Sequence, residues 1–257
     1  MKVVFLGSTK YSEALLLHLI EIGVELVAIA SIPEHFSISY SDTPVRNTNF
    51  ADLQHYSKQL NIPHFEVDSV KGKRLQDYSD ALKVLNPDII LVLGWYYMLP
   101  KRVREIARLG AWGIHASLLP KYAGGAPLVW AMINGESTSG VTLFRFEDGV
   151  DDGDIIAQEA FEIEEVDTIK EVYNKATIVS KRILTKVFKT ENFDFHPQDK
   201  VEKQVFPQRS PDDGEIDLSW EKDRIFDFIR AQTNPYPGAF ISNSNGRKLF
   251  IKEIKIV

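Results

Sequence analysis

The chain of 257 residues contains no cysteine. This absence excludes disulfide bonds, thiolate metal sites and a cysteine nucleophile, and it agrees with a reducing compartment. No apolar run approaches the ~20 residues that a membrane-spanning helix requires, and the apolar run near the N-terminus is too short for a signal peptide. We therefore expect a cytoplasmic protein without a membrane segment.

An excess of positive charge is also missing, because 30 Lys and Arg stand against 36 Asp and Glu. The net charge of −6 disfavours a broad electrostatic surface for nucleic acid, although a local basic patch is not excluded. The hydrophobic fraction of 44% is ordinary for a globular protein. A chain of this length fits one large domain, or one domain with a small appendage.

The first turn lacks the G-x-G-x-x-G motif of dinucleotide-binding folds, because Gly7 is followed by Ser-Thr-Lys. NAD or FAD binding is therefore not favoured. This turn joins a buried strand at 3–6 to a helix that Ser12 is expected to cap and that ends at Gly23. A second buried strand follows at 24–32, and the order strand, helix, strand favours a parallel sheet.

Later segments extend the same pattern. Helices are predicted at 51–60 and 74–85, a buried strand at 88–93, and a long helix capped by Asp167. We therefore predict an α/β fold with a Rossmann-like, mostly parallel sheet flanked by helices, and a small C-terminal α+β appendage. The polar stretch 190–200 marks the boundary between a domain at 1–190 and a small docked domain at 200–257.

Two loops are candidates for ligand contact. The segment 33–50, which contains Tyr40 and Arg46, has no sustained period and is either functional or a surface excursion. The aromatic segment 94–99 follows the strand at 88–93, at the carboxyl end where ligands of open α/β sheets collect. Such a segment can hold a flat ring or cap the core, and its spacing does not separate these alternatives.

The stretch 112–156 has the strongest indication of chemistry. His115 ends an apolar run before a Pro/Gly-rich loop, and the acidic turn 147–154 lies one hairpin away. A histidine beside carboxylates is how an α/β enzyme assembles a general base, although a lone histidine is more often structural. The acidic turn also partly matches a calcium loop. Val150 occupies the third position, where an oxygen ligand belongs, so we expect no metal site.

The ordered motifs HASLLPKY, GGAP, WAMINGE, GVTLF and DDGDIIAQ resemble the folate-dependent formyltransferase family over about residues 1–190. This family includes glycinamide ribonucleotide and methionyl-tRNA formyltransferases, and the sugar N-formyltransferases of cell-surface polysaccharides such as lipopolysaccharide O-antigen. The later segments VFPQRSPDDGEIDLSW and NPYPGAF are similar to the tail of the aminoarabinose and tRNA enzymes. The resemblance implies the formyltransferase fold and transfer of a formyl group from N10-formyltetrahydrofolate to an amine.

The resemblance also implies a catalytic trio of Asn, His and Asp. The histidine corresponds to His115 and the aspartate to Asp151, but Gly113 stands where the family has the asparagine, and Ala123 where it usually has arginine. An amide donor to the developing oxyanion is worth ~3–4 kcal/mol. A water beside Gly113, a backbone N–H or another side chain would have to replace it. The alternative is a weakened enzyme or a folate- or nucleotide-sugar-binding protein.

In the family, the pterin is held between the loop before the histidine strand and the loop before the catalytic aspartate, largely through backbone groups. An apolar slot with backbone donors and acceptors suits such a ring. The corresponding residues here are Gly94, Trp95, Tyr97, Met98, Leu99, Asp148 and Val150.

Three amines compete as the acceptor. Residues 191–257 contain ten Lys and Arg and twelve Asp and Glu, a net charge of −2 that does not suit tRNA. Glycinamide ribonucleotide enzymes generally end near the first domain, which leaves the tail unexplained. A nucleotide-linked 4-amino sugar therefore fits best, without nucleic acid, and a homodimer is left open. The candidate contacts to this substrate are Lys10, Arg46, Lys121, Tyr122, Gly124 and Arg209.

Overall fold

A computed structural model describes residues 1–37, 43–68, 72–190 and 193–256, so that Tyr40 lies outside the described residues. The internal contacts divide the chain into two compact units. Unit 1 comprises Met1–Ile114, Leu143–Asp148 and Leu184–Asp194. Unit 2 comprises His115–Thr142, Gly149–Ile183 and Phe195–Val257.

Strands and helices alternate through most of the described chain. The strands are β1 Lys2–Leu6, β2 Glu25–Ser31, β3 His35–Phe36, β4 Val45–Arg46, β5 His64–Glu66, β6 Ile89–Val92, β7 Ala111–His115, β8 Ala123–Gly124, β9 Thr138–Arg145, β10 Ile155–Glu162, β11 Val205–Phe206, β12 Ala239–Ser242 and β13 Lys248–Ile251. The α-helices are α1 Lys10–Glu21, α2 Gln54–Leu60, α3 Ser79–Val84, α4 Lys101–Arg104, α5 Pro127–Ile133, α6 Ile169–Thr190 and α7 Lys222–Arg230. Short 3₁₀ turns occupy Leu75–Tyr78 and Pro211–Gly214.

The central sheet has the strand order β10-β9-β7-β6-β1-β2-β5. The pairs β1–β2, β1–β6, β2–β5 and β6–β7 are parallel. In the middle of the sheet Val3 pairs with Ile89 and Leu6 with Val92. The side chains of β1 and β6 are almost entirely buried, as expected for parallel strands that are covered on both faces. The predicted α/β class and mostly parallel sheet are confirmed.

Helix α1 begins earlier than its sequence suggests. Thr9 is the N-cap, and its hydroxyl oxygen accepts the Ser12 N–H at 3.1 Å. Ser12 therefore sits at the third helical position of a capping box, and the predicted cap at Ser12 is wrong by one turn. The hydroxyl of Ser12 also donates to the Leu93 carbonyl at 2.6 Å, which ties the start of α1 to the end of β6.

This connection fixes the start of the aromatic loop at 94–99. Gly94 has φ +66°, and a Cβ at this position would collide with the Thr9 hydroxyl. Only glycine meets both conditions. The close approach of the start of α1 to the end of β6 therefore sets where the loop leaves the sheet.

The long helix α6 also differs from expectation at its start. The Asp167 carboxylate accepts the Glu164 N–H at 2.8 Å and pairs with Lys175 at 2.6 Å, so it does not cap the helix. The Thr168 N–H instead donates to the Glu171 carboxylate at 2.9 Å, which is one of the two hydrogen bonds of a capping box. Among the helices of the described ranges, none has the length and apolar character needed to cross a bilayer.

The C-terminal part of unit 2 has its own small core. Ile216, Phe228 and Ala239 form a buried cluster, and Trp220 packs against it. Helix α7 and the antiparallel pair β12–β13 supply most of this cluster. An earlier part of unit 2 contains the parallel pair β8–β11, in which Val205 lies opposite Ala123. This pairing was not predicted, because two-residue strands carry no readable period.

Candidate active site

Strand β7 ends at His115, which is only 9% exposed. The imidazole Nε2 lies 2.8 Å from the backbone carbonyl oxygen of Tyr122. A carbonyl oxygen can only accept a hydrogen bond, so we assign the proton of the neutral imidazole to Nε2. Nδ1 then carries the free lone pair, which makes it the proton acceptor of this histidine.

The second imidazole nitrogen faces a carboxylate. The distance from His115 Nδ1 to Asp151 Oδ2 is 3.5 Å, and the two side chains are 10% and 20% exposed. The same carboxylate oxygen accepts the Gly124 backbone N–H at 2.8 Å. A proton taken up at Nδ1 would therefore be offset by a fixed negative charge in a partly dry environment. This arrangement is suited to a general base.

The acidic turn presents Asp151 in an uncommon backbone conformation. Asp151 has φ +47°, in the left-handed region, which costs a residue other than glycine on the order of 1 kcal/mol. The side-chain amide of Gln198 donates to the carbonyl oxygens of Asp151 at 2.8 Å and Gly153 at 2.7 Å. Lys203 donates to the Val150 carbonyl at 2.6 Å. Neither side chain was predicted, because the polar composition of the stretch that begins at residue 190 indicates only a domain boundary.

Tyr122 and Gly124, predicted as substrate contacts, both lie in this cluster. Tyr122 supplies the carbonyl for His115, and its ring stacks on Phe206 at 4.7 Å with an interplanar angle of 10°. Its hydroxyl donates to Glu136 at 2.8 Å. Burial, together with the hydrogen bond to Glu136, raises the pKa of Tyr122 to about 12. In unit 2 the structure thus joins His115, Asp151, Tyr122 and Gly124, called the His115 cluster, through direct contacts.

The raised pKa of Tyr122 makes stability depend on alkaline pH. The unfolded chain releases this proton near pH 10 and the folded chain near pH 12, so the free energy of unfolding falls as the pH rises through this interval. We expect Tyr122→Phe to lose less stability than the wild type between about pH 9 and about pH 11, measured by urea unfolding. An equal loss in the two proteins would contradict this expectation.

In unit 1, the aromatic loop at 94–99 is largely apolar and contains a buried indole N–H. Trp95, Tyr97 and Leu99 pack partly buried against the core cluster, whereas Met98 is 88% exposed. The buried indole Nε1 of Trp95 has no hydrogen-bond partner among the described residues. The Tyr97 hydroxyl is used within the fold, since it donates to the Ser37 carbonyl at 2.9 Å. A loop with partly buried aromatic rings and one exposed apolar side chain fits a flat heteroaromatic group.

Asp148, predicted to lie beside the same ligand, is 76% exposed at its side chain and forms an ion pair with Arg104. Arg104 is 8% exposed and lies on the short helix α4. It was not singled out in the sequence, because a four-residue helix leaves no periodic signal. Val150, the other predicted contact of the acidic turn, belongs to unit 2 and is 53% exposed.

The space beside Gly113 is filled. A Cβ at residue 113 would lie 2.5 Å from Cζ of Phe146, well inside the contact distance of two carbon atoms. Phe146 packs edge-on against Phe144, with ring centroids 5.1 Å apart. The phenyl ring thus stands where an asparagine side chain would begin, and it leaves no place for a water in that position.

The four candidate Lys and Arg side chains differ in their exposure and in their contacts. Lys10 and Lys121 are exposed, and Arg46 pairs with Glu34 at 2.9 Å on the surface. Arg209 lies over the Trp130 ring at 4.7 Å and donates to the Gln232 side chain at 2.9 Å. It lines a cavity of about 90 Å³ in unit 2, and within the described ranges its hydrogen bonds go to Asp213 and Gln232.

Sequence comparison identifies two matching families. Residues 1–188 match "Formyl transferase" and residues 209–257 match "Formyl transferase, C-terminal domain". The chain is 35% identical over 243 residues to the bifunctional polymyxin resistance protein ArnA of Wigglesworthia glossinidia brevipalpis, covering 93% of this chain and 35% of that protein. It is also 32% identical over 245 residues to methionyl-tRNA formyltransferase of Pelotomaculum thermopropionicum, covering 93% and 74%. The chain therefore spans about a third of the first relative's length and about three quarters of the second's.

Solved structures share the fold. A 4-N formyltransferase from Francisella tularensis superposes with a TM-score of 0.73 at 19% identity, covering 100% of this chain and 98% of that one. The N-formyltransferase from Helicobacter canadensis, solved with folinic acid and dTDP-3-aminofucose, superposes with a TM-score of 0.68 at 19% identity, covering 90% and 80%. With one family matching residues 1–188 and a relative 32% identical over most of both chains, this chain belongs to the formyl transferase family.

Proposed function

We propose that the protein is an N-formyltransferase that moves a formyl group from N10-formyltetrahydrofolate to the amine of a nucleotide-linked 4-amino sugar. The observation that carries this proposal is the His115–Asp151 pair, in which the lone pair of Nδ1 faces a carboxylate at 3.5 Å. Membership of the formyl transferase family supports the reaction class. On this proposal residues 1–190 form the catalytic domain and residues 200–257 a small additional domain.

The folate would supply the formyl group. Trp95 and Met98 would contact its ring system with their apolar side chains, of which that of Met98 is exposed. Gly94, Tyr97 and Leu99 would shape this surface. In the acidic turn, Asp148 and Val150 would contribute backbone groups, and Arg104 would hold Asp148 in place through their ion pair.

The chain's own contribution to chemistry lies at His115. An amine that attacks a carbonyl carbon must lose a proton, and Nδ1 is positioned to take it because Nε2 is bound to the Tyr122 carbonyl. Asp151 balances the charge that His115 gains. Gly113 carries no amide, so stabilisation of the developing oxyanion would fall to the His115 imidazolium or to backbone N–H groups.

The charge of the C-terminal residues and the names of two structural relatives both favour an amino sugar as the acceptor. The Francisella tularensis structure is named a 4-N formyltransferase, and the Helicobacter canadensis structure contains dTDP-3-aminofucose. The methionyl-tRNA enzyme is the competing relative. A net charge of −2 over residues 191–257 does not suit a phosphate-rich partner of that size. A sugar nucleotide needs few cations, and Lys10, Arg46, Lys121 and Arg209 are the candidates.

A panel of acceptors tests the proposal. The protein is incubated with N10-formyltetrahydrofolate and, separately, with dTDP-, GDP- and UDP-linked 4-amino sugars, glycinamide ribonucleotide and methionyl-tRNA. We expect formylation of one nucleotide-linked amino sugar, detected by mass spectrometry as the mass gained when a formyl group replaces one hydrogen of the amine. Formylation of methionyl-tRNA alone would refute the sugar assignment. Absence of transfer to every acceptor would refute the enzymatic assignment.

A further inference from the structure

The segment 196–208, called the clamp segment below, contacts both the acidic turn that contains Asp151 and the strand β8 that contains Gly124. It lies outside the two family matches, of which the first ends at residue 188 and the second begins at residue 209. At one end, the His196 backbone exchanges two hydrogen bonds with Ile155, at 2.8 and 2.9 Å. At the other, β11 pairs with β8 beside Gly124. Both contacts lie within unit 2.

The pairing of β11 with β8 fixes the loop that supplies the partners of His115 and Asp151. The Ala123 N–H donates to the Gln204 carbonyl at 2.8 Å, and the Gly125 N–H donates to the Phe206 carbonyl at 2.9 Å. Between them, the Gly124 N–H points the other way and donates to the Asp151 carboxylate. The clamp segment therefore holds the strand from which Asp151 receives its backbone hydrogen bond.

Gln198 acts on the Asp151 side. Its Nε2 donates to the carbonyl oxygen of Asp151, the residue with the left-handed backbone, and to that of Gly153. A left-handed aspartate persists only where the surroundings over-determine it. Two hydrogen bonds from one partly buried amide can offset that conformational cost.

We propose that Gln198 is a positioning residue for formyl transfer, which keeps the Asp151 carboxylate directed at Nδ1 of His115. The proposal rests on the proposed function of this site. Gln198 touches neither imidazole nor carboxylate, so it acts through the backbone of the acidic turn. Without its amide, the turn relaxes toward a right-handed conformation and the carboxylate leaves its position opposite Nδ1.

Two substitutions separate hydrogen-bond donation from size. Gln198→Ala removes the side chain, and Gln198→Glu keeps its size but replaces the donor with an acceptor. We expect both to lower kcat about 10- to 100-fold, since small misplacements of a catalytic group have effects of this order, with the KM values for folate and acceptor unchanged within about twofold. Gln204→Ala is the matched control, because its exposed side chain lies in the same segment. Full activity of Gln198→Glu would overturn the proposal.

A double-mutant cycle shows whether Gln198 acts through Asp151. In an Asp151→Asn background the charge that Gln198 positions is already gone, so Gln198→Ala is expected to cause no further loss of kcat. An equal fold-loss in the wild-type and Asp151→Asn backgrounds would refute positioning and indicate a purely structural role.

Hydrogen exchange gives a readout that needs no substrate. Peptides covering 148–156 are expected to exchange at least about tenfold faster in Gln198→Ala than in the wild type, and to be unchanged in Gln204→Ala. Unchanged exchange in Gln198→Ala would overturn the proposal even if activity fell. If the wild type formylated no acceptor, the proposed function would fail, while the exchange rates would still decide whether Gln198 holds the turn.

Discussion

Replacing His115 with alanine is expected to lower kcat for formyl transfer about 10²- to 10⁴-fold. On the proposed function, the variant loses the nitrogen that would take the amine's proton and, with it, the charge that Asp151 would balance. His115 is buried but small, and its loss removes one hydrogen bond to the Tyr122 carbonyl, so the fold should persist. Steady-state kinetics, with circular dichroism to verify folding, measure the effect.

Two further variants test whether the loss of kcat in His115→Ala is specific to the His115–Asp151 pair. Asp151→Asn keeps an oxygen to accept the Gly124 N–H but removes the charge, so a smaller loss of kcat than in His115→Ala is expected. His55→Ala removes an exposed imidazole in α2 and should leave kcat unchanged. Near-wild-type turnover of both His115→Ala and Asp151→Asn would show that the chemistry occurs elsewhere.

Restoring the family's asparagine through Gly113→Asn is expected to destabilise the protein and not to raise kcat. The new side chain would enter the space of the Phe146 ring, whose Cζ lies 2.5 Å from the ideal Cβ position. Overpacking of this kind typically costs about 1–3 kcal/mol. Urea unfolding should show a lower midpoint with an unchanged slope. A rise in both stability and kcat would mean that the ring moves aside at little cost.

The double variant Gly113→Asn/Phe146→Ala tests whether the two residues replace each other. Removing the ring opens the space that the amide requires, so the two changes should be non-additive, with a coupling free energy of about 0.5–3 kcal/mol in favour of the double variant. If kcat then rises above that of Phe146→Ala alone, the amide supplies a missing oxyanion donor. Strict additivity of the two changes would contradict the steric account.

The fold could be predicted where a segment carries its own signal. The apolar runs of β1, β2 and β6 are buried on both faces, and their composition alone indicates central strands of a parallel sheet. The cap of α1 could not be placed correctly, because Ser12 and Thr9 both suit an N-cap and the bond from Ser12 to Leu93 decides between them. Strands β8 and β11 depend on a partner about 80 residues away, which no local pattern records.

The site residues also fall into those that the sequence predicts and those that only the structure identifies. His115 and Asp151 belong to ordered motifs, and their proximity is what the resemblance implies. Gln198, Arg104 and Phe146 were not foreseen, because each acts through a contact with a residue distant in the chain. The absence of the asparagine at residue 113 was visible in the sequence, but only the structure identifies the aromatic ring that takes its place.

The clamp segment also bears on how such proteins can be cut or recombined. A truncated chain that ends at residue 190 would retain His115 and Asp151 but lose the Gln198 amide and the strand that pairs with β8. Exchange of C-terminal parts between relatives would therefore preserve these contacts only if the junction lay beyond residue 208. The stretch that resembles a linker by composition would then remain with the part of the chain that contains His115 and Asp151.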